Sequence, residues 1–290
     1  MAGGTRLDMK KVVLWPNPSR DIGFRVSLAA AALCAEEDVE AVIPAEVAGA
    51  FPETPLVKVC PLPESLRDAD CLLALGGDGT ILHLAKHAAK RDIPVLGVNL
   101  GRLGFMSELE ADELPLITHA LRGRAAADAR MMLSLAVRRG GRTVHEDLAL
   151  NDVVLTGGGQ SRFLSILVRT DGQDMLSFMG DGVIVATPTG STAYSMAAGG
   201  PIIEPHADSL AVTPICAHMT HVRPMVLSAA CAVTLRASPD KEAVLLVDGL
   251  AEHPIGPGDE VLVSRSDKQT TLLRIKPYSF YAALSRKLQK

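Results

Sequence analysis

The chain has little of what marks a nucleic-acid binder, a secreted protein or a membrane protein. Aromatic residues make up 3% of its 290 positions, and the formal net charge is -4. Nucleic acid calls for a basic face and often for aromatic stacking platforms, so no nucleic-acid partner is expected. No run of about 18 uncharged apolar residues occurs, so no membrane span or membrane partner is expected. The opening stretch "MAGGTRLDMKKVVLWP" has no long apolar segment before a cleavage site, which argues against a secretory signal. The five cysteines, Cys34, Cys60, Cys71, Cys216 and Cys231, are odd in number and form no CxxC. They read as reduced thiols of a cytoplasmic protein, several of them buried, not as a disulfide or zinc framework. One more absence is local: the glycine-rich loop in "LALGGDGTILHLAK", residues 73 to 86, carries no lysine.

What is present divides into two textures. Up to about residue 127, β-like runs ("KKVVLW", "VEAVIP", "LVKVC", "DADCLLAL", "IPVLGVNL") alternate with helical ones ("FRVSLAAAALCAEE", "TILHLAKHAAKR", "ELPLITHALRG"). Such alternation predicts an α/β domain with a parallel, Rossmann-like sheet. From 128 to 276 the chain reads as β segments punctuated by Gly-Gly and Asp-Gly turns, with one helix near "STAYSMAAGG". The tail "SFYAALSRKLQK", about 277 to 290, reads as an amphipathic helix that packs back and closes the first domain. The expected fold is therefore an α/β N-terminal domain, a β-rich C-terminal domain and a closing helix.

Open α/β sheets bind ligands at the carboxyl ends of their strands, and "LALGGDGT" is such an end. Gly76, Gly77 and Gly79 let the backbone approach a phosphate, and Thr80 is a candidate cap for the next helix. Neither the Walker loop GxxxxGK[ST] nor the dinucleotide fingerprint GxGxxG is present. Asp78 is the unusual member. A carboxylate beside phosphates is repelled, but phosphoryl transfer to a hydroxyl needs a group that orients the hydroxyl and accepts its proton. An Asx turn is the plainer reading. A second segment, "MGDGVIVATPTGSTAYSMAAGGPI", holds Asp181 in another Gly-Asp-Gly. A β run then leads to Thr189, Gly190, Ser191, Thr192, Ala193 and Tyr194, a set of small hydroxyls, N–H groups and one ring suited to a nucleotide. Ser191 and Thr192 are the expected caps of a helix starting near Ala193. In "LALNDVVLTGG", Asn151 and Asp152 head a β run, where they suit sugar or base edges or a plain turn.

In order and spacing, "GGDGT", "LGVNLGRLGFMSE", "LNDVVL", "GDGVIVATPTGSTAYSMAAGGPII" and "VTPICAHMTHVRPMV" together resemble the NAD kinase family. The resemblance runs from about residue 70 to 250 and extends more weakly to "SFYAALSRKL". GGDGT alone is shared with lipid kinases of the diacylglycerol and sphingosine type; the GDG–TPTGSTAY block is far more specific. The resemblance implies transfer of the γ-phosphoryl of ATP, with a divalent metal, magnesium first, to the 2′-hydroxyl of the adenosine ribose of NAD, giving NADP. It implies that Asp78 is the base and that Gly76, Gly77 and Gly79 form the phosphate-side backbone. Asn151 and Asp152 would hold the NAD adenosine portion, Asp152 standing where many members carry the longer Glu. Asp181 would face the nicotinamide end, Thr192, Ala193 and Tyr194 would line nucleotide, and Phe105 would pack against a base. It further implies a homodimer or homotetramer in which a neighbouring copy completes the NAD site. The missing lysine is then explained by a metal ion that neutralises the phosphates.

Other features weigh less. His83 and His87 share a helical face, yet no third metal ligand is near in sequence, and no protein metal site is expected. His218 and His221 fit a supporting loop or interface. "PNPSRD", after the first strand, could be a second phosphate loop, but Asn17 and Ser19 serve equally as turn and cap residues. Asp248-Gly249 reads first as a hairpin turn. A GGDGT lipid kinase and a non-catalytic NAD sensor are the alternative functions.

Overall fold

The computed structural model describes residues 9–101, 104–158, 163–218, 221–238 and 241–289. Arg102 and Leu103 of the "GRLGF" turn, and Met219 and Thr220 of the last motif, lie outside the described residues. The chain forms two compact units, residues 1–129 with 270–290, and residues 130–269.

The first unit is built on a parallel sheet. Its strands lie in the order Val95–Asn99, Cys71–Gly76, Lys11–Pro16, Glu40–Pro44 and Lys58–Cys60. Leu272 pairs parallel with Val95. Cys71–Gly76 and Val95–Asn99 are buried at every position, which matches their near-continuous apolar sequences; Asn99 is the one polar member. Helix Arg25–Glu36 buries Ala30, Ala31 and Cys34, small residues that allow close helix–sheet packing. Helix Asp78–Arg91 starts two residues earlier than its sequence suggests. The segment "ELPLITHALRG" is split into a 3-10 turn, Ala111–Leu116, and an α-helix, Ile117–Leu121, because Pro115 has no N–H to donate to a continuous ladder. Successive strands lie to one side of Lys11–Pro16 and then to the other. The crevice outside the carboxyl ends of the strands at such a switch point is the usual ligand site of an open α/β sheet. Residues 17–21 and 77–80 flank it.

The second unit is antiparallel throughout its named pairs. One sheet has the order Met225–Ser228, Ser209–Ile215, Gly182–Ala186, Asp152–Gly157, Ala243–Val247, Ala251–Ile255. Gln173–Gly180, Leu164–Thr170, Val233–Ala237 and the start of Glu260–Arg274 pair in a second set. Ala126–Arg139 forms a hairpin with Arg142–Ala149, turned by Gly140 and Gly141 at φ 54° and 78°. Leu133, Leu135, Val153, Val185, Val212, Leu245 and Val263 meet in one core. Val154, Ile184 and Ala211 bury the opposite face, so the central strands are covered on both sides. The embedded helix is a single turn, Tyr194–Ala197.

Strand Glu260–Arg274 carries the chain back into the first unit, where helix Phe280–Leu288 closes it. Because one strand runs through the division, the β texture continues past residue 269 and gives no sign of the boundary there. Ser279 caps the closing helix by accepting the Ala282 N–H at 3.3 Å, and Phe280 and Ala283 pack on Phe105. No described helix is long and apolar enough to cross a membrane.

Candidate active site

In the first unit the fully buried strand Cys71–Gly76 ends in the glycine loop, and Asp78 is the first residue of the helix that follows. An acidic residue there is favoured by the positive end of the helix dipole. The half-buried Asp78 carboxylate is held by one turn. Its Oδ2 accepts the Phe105 N–H at 2.7 Å; Oδ1 accepts the Met106 N–H at 3.2 Å and the Ser107 hydroxyl at 3.4 Å. Gly104 permits this approach, since a Cβ there would fall 2.0 Å from Oδ1. Gly76 is equally constrained, because its Cβ would meet Thr80 Oγ1 at 2.1 Å. Thr80 is not the first cap of the helix. It is the third helical residue, and its hydroxyl reaches back to accept the Gly77 N–H at 3.4 Å.

The turn that holds Asp78 is itself held by a buried arginine that sequence reasoning passed over. Arg274 donates to the Met106 carbonyl at 3.0 Å, to Glu108 at 3.3 Å and to Asp128 at 2.8 Å, and its guanidinium lies 4.2 Å from the Tyr278 ring centroid. Glu108 also accepts the Ile275 and Lys276 N–H groups. The Phe105 ring packs on Phe280 and under the Lys287 ammonium, 4.1 Å from the centroid, and is 8% exposed. Both contacts come from the closing helix, and the backbone N–H of Phe105 reaches Asp78.

In the second unit the structure gathers "LNDVVL" and "TPTG" into one cluster. Strands Asp152–Gly157 and Gly182–Ala186 pair with Asp152 opposite Ala186, so Asn151 and Thr187 emerge side by side. The Thr187 N–H donates to Asn151 O at 2.9 Å, its hydroxyl donates to Leu150 O at 2.6 Å, and it accepts the Gly190 N–H at 3.0 Å. Gly190 is required because a Cβ would lie 2.0 Å from Asn151 O. Thr189 is buried against Arg130, whose guanidinium approaches its hydroxyl at 3.5 Å. Ser191 and Thr192 do not cap the helix. Ser191 is fully buried, donates to Pro188 O at 2.7 Å and accepts the Ile203 N–H, and Thr192 donates to Thr189 O. Both lock the turn. Ala193 is half-buried and Tyr194 is exposed, leaving their surfaces open to a ligand.

Asp248 organises this cluster. It sits in a hairpin turn, as its Asp-Gly pair predicts, with Asp248 and Gly249 at φ 53° and 66°. Its buried carboxylate also accepts the N–H groups of Leu150 at 2.9 Å, Asn151 at 2.7 Å and Asp152 at 3.1 Å. Burial, followed by the Asp248 charge, pushes the Asp152 carboxyl up to about 7. Asn151 Oδ1 is buried and takes no hydrogen bond, which leaves an acceptor for a ligand N–H or O–H. Asp181 does not join the group. It lies at the other end of strand Gly182–Ala186 from Thr187, roughly 20 Å along the strand.

Among the described residues no three of His, Cys, Asp and Glu come together to hold a metal ion. His87 packs on Trp15 with its pKa lowered by burial and by neighbouring cations. The cysteines are free; burial raises Cys34 and Cys71 to about 12, which keeps them inert thiols.

Comparison with known proteins places these clusters in a family. The model of the ATP-NAD kinase N-terminal domain matches residues 57–124, and that of the C-terminal domain matches residues 150–275. The NAD kinase of Geotalea daltonii is 38% identical over 225 residues, 77% of this chain and 79% of that protein. The NAD kinase of Desulforamulus reducens is 41% identical over 223 residues, 76% and 77% of the two chains. The crystal structure of yeast NADH kinase complexed with NADH shares the fold at a TM-score of 0.89 and 24% identity, over 98% of this chain and 88% of that one. The NAD kinase from Archaeoglobus fulgidus in complex with ATP does so at 0.76 and 21%, over 97% and 99%. This chain belongs to the ATP-NAD kinase family.

Proposed function

We propose that the chain transfers the γ-phosphoryl of ATP to the 2′-hydroxyl of the adenosine ribose of NAD, giving NADP and ADP, with Asp78 as general base. The carrying observation is the way Asp78 is held. Of about four lone-pair sites on a carboxylate, three are taken, and Oδ2 has a single partner. The acid is therefore oriented yet keeps one site for a hydroxyl. A ribose hydroxyl is a poor nucleophile at neutral pH, and general-base help is worth roughly 10²- to 10⁴-fold. Gly76, Gly77 and Gly79 give the phosphates backbone access.

Asn151 and Asp152 take the adenosine portion of NAD. The unpartnered Asn151 Oδ1 supports this reading, as does the raised Asp152, which can donate a hydrogen bond below about pH 7. Ala193 and Tyr194 supply the open nucleotide wall. ATP enters as its magnesium complex, the ion being held by the substrate's phosphates. The chain acts as a homo-oligomer, and Asp181, at the far end of strand Gly182–Ala186 from Asn151, takes the nicotinamide end. Both domain models match, which favours NAD over the lipid acceptors of other GGDGT kinases. The test is a mixture of protein, ATP, magnesium and NAD read with an NADP-specific dehydrogenase. NADP must appear with ADP in equal amount; ADP without NADP sinks the acceptor assignment.

A further inference from the structure

The glycine loop has no lysine, but another segment brings a cation to it. Arg20 ends the turn "PNPSR" that follows strand Lys11–Pro16. The other polar groups of that turn are tied down. The Asn17 N–H donates to Leu75 O at 2.9 Å, and Asn17 O accepts the N–H groups of Arg20 and Asp21. Asn17 Oδ1 accepts the Ser19 N–H and hydroxyl at 3.1 and 2.7 Å, and Asn17 Nδ2 approaches Thr80 Oγ1 at 3.5 Å, lacing this turn to the GGDGT loop. The Asp21 carboxylate accepts from Val26 and Ser27 at the start of the next helix. The Arg20 side chain is exposed, and among the described residues no hydrogen bond or ion pair holds its guanidinium.

One glycine makes room for it and another lies beside it. A Cβ on Gly101 would fall 1.6 Å from Arg20 Nη1 and 2.8 Å from Cζ; one on Gly77 would lie 3.9 Å from Cζ. The guanidinium therefore lies against Gly101 and beside Gly77, at the carboxyl ends of the strands that flank the switch point. We infer that Arg20 is the phosphate-binding cation of the GGDG loop, the group that receives the β- and γ-phosphates of ATP. The inference rests on the reading of this chain as an ATP-dependent kinase. A guanidinium is charged at every working pH and offers two parallel N–H donors to phosphate oxygens, which a lysine cannot do. The competing role is to neutralise Glu110 and Asp112, which with Arg20, Asn99 and Gly101 line a cavity of about 410 Å³. Glu110 is already engaged by the Asn99 amide at 2.8 Å.

The experiment compares wild type with Arg20→Ala, Arg20→Lys, Gly101→Ala and Glu110→Gln in full steady-state kinetics for ATP and NAD. Wild-type turnover tests the kinase reading by itself; the ratios of the variants test Arg20. Arg20→Ala should lower kcat/KM for ATP about a hundredfold, leave KM for NAD within twofold and leave the unfolding midpoint unchanged. Lysine should restore part of the loss. Gly101→Ala, which displaces the guanidinium and keeps its charge, should reproduce much of the alanine defect and add little to it in the double variant. ATP kinetics within twofold of wild type in Arg20→Ala would overturn the assignment. So would equal losses for ATP and NAD, or a defect that Glu110→Gln repairs.

Discussion

Asp78 and Asp248 use the same device to opposite ends. Each carboxylate collects donors from consecutive residues of a distant segment: Asp78 from Phe105, Met106 and Ser107, Asp248 from Leu150, Asn151 and Asp152. Asp248 is 6% exposed and gives its bonding to the backbone that presents two side chains to a ligand. Asp78 is half-buried and, with three donors, keeps one lone-pair site unfilled. The first unit thus uses backbone to aim a carboxylate, and the second uses a carboxylate to aim backbone. Chemistry is assigned to the aspartate with a side left open, positioning to the one without.

That contrast can be broken from either side. The largest structural effect should come from Arg274→Met, which removes the cation bonded to the buried Glu108 and Asp128 and releases the Asp78 turn. Loss of such a buried partner costs about 3–5 kcal/mol, readable by urea unfolding. Arg274→Lys should unfold later than Arg274→Met, yet with turnover well below wild type, because a single nitrogen cannot span acceptors that the guanidinium reaches from separate nitrogens. Asp248→Ala should cost roughly 3 kcal/mol in stability by orphaning three buried N–H groups, and should raise KM for NAD more than it lowers kcat. If instead kcat falls with KM unchanged, the division of labour between the two aspartates is wrong.

An effect confined to neutral and alkaline pH concerns Asp152. Its folded pKa, about 7, lies above its unfolded value, so its contribution to stability is full below about pH 4 and is lost as pH rises through 7. Asp152→Asn should therefore gain on the order of 4 kcal/mol over wild type at pH 8, a rise of about three in pKa at roughly 1.36 kcal/mol each, and nothing at pH 4. Unfolding midpoints across that range check it; equal pH slopes in both proteins would contradict the burial account. The smallest effect is expected for Lys287→Ala. It removes an ammonium from the Phe105 ring and should cost about 0.5 kcal/mol, seen as a slight fall in Tm.

The sequence made the strand–loop–helix around Asp78 legible because local signals agree: an apolar run, then glycines, then helical spacing. The pairing of "LNDVVL" with "TPTGST" could be proposed only through the family resemblance, since strand partners thirty residues apart leave no local mark. Asp248 read as a turn, and it is one; its carboxylate's three partners lie almost a hundred residues upstream, beyond any periodicity. The base contact of Phe105 is implied only by the family resemblance, and its packing on Phe280 and Lys287 of the last helix, about 175 residues downstream, leaves no local mark. Ser191 and Thr192 had cap chemistry but no helix long enough to cap. Arg20 was visible as a residue in a loop, but its position against Gly77 and Gly101 exists only once three strand ends are side by side.

The most direct test is single-turnover formation of NADP by Asp78→Asn beside wild type, at saturating magnesium–ATP and NAD, with NAD binding measured separately. The account predicts NAD binding within a fewfold of wild type and a phosphoryl-transfer rate lower by about 10² to 10⁴. A rate close to wild type in a folded, NAD-binding Asp78→Asn would contradict it and leave Asp78 as a clasp for the 105–107 turn.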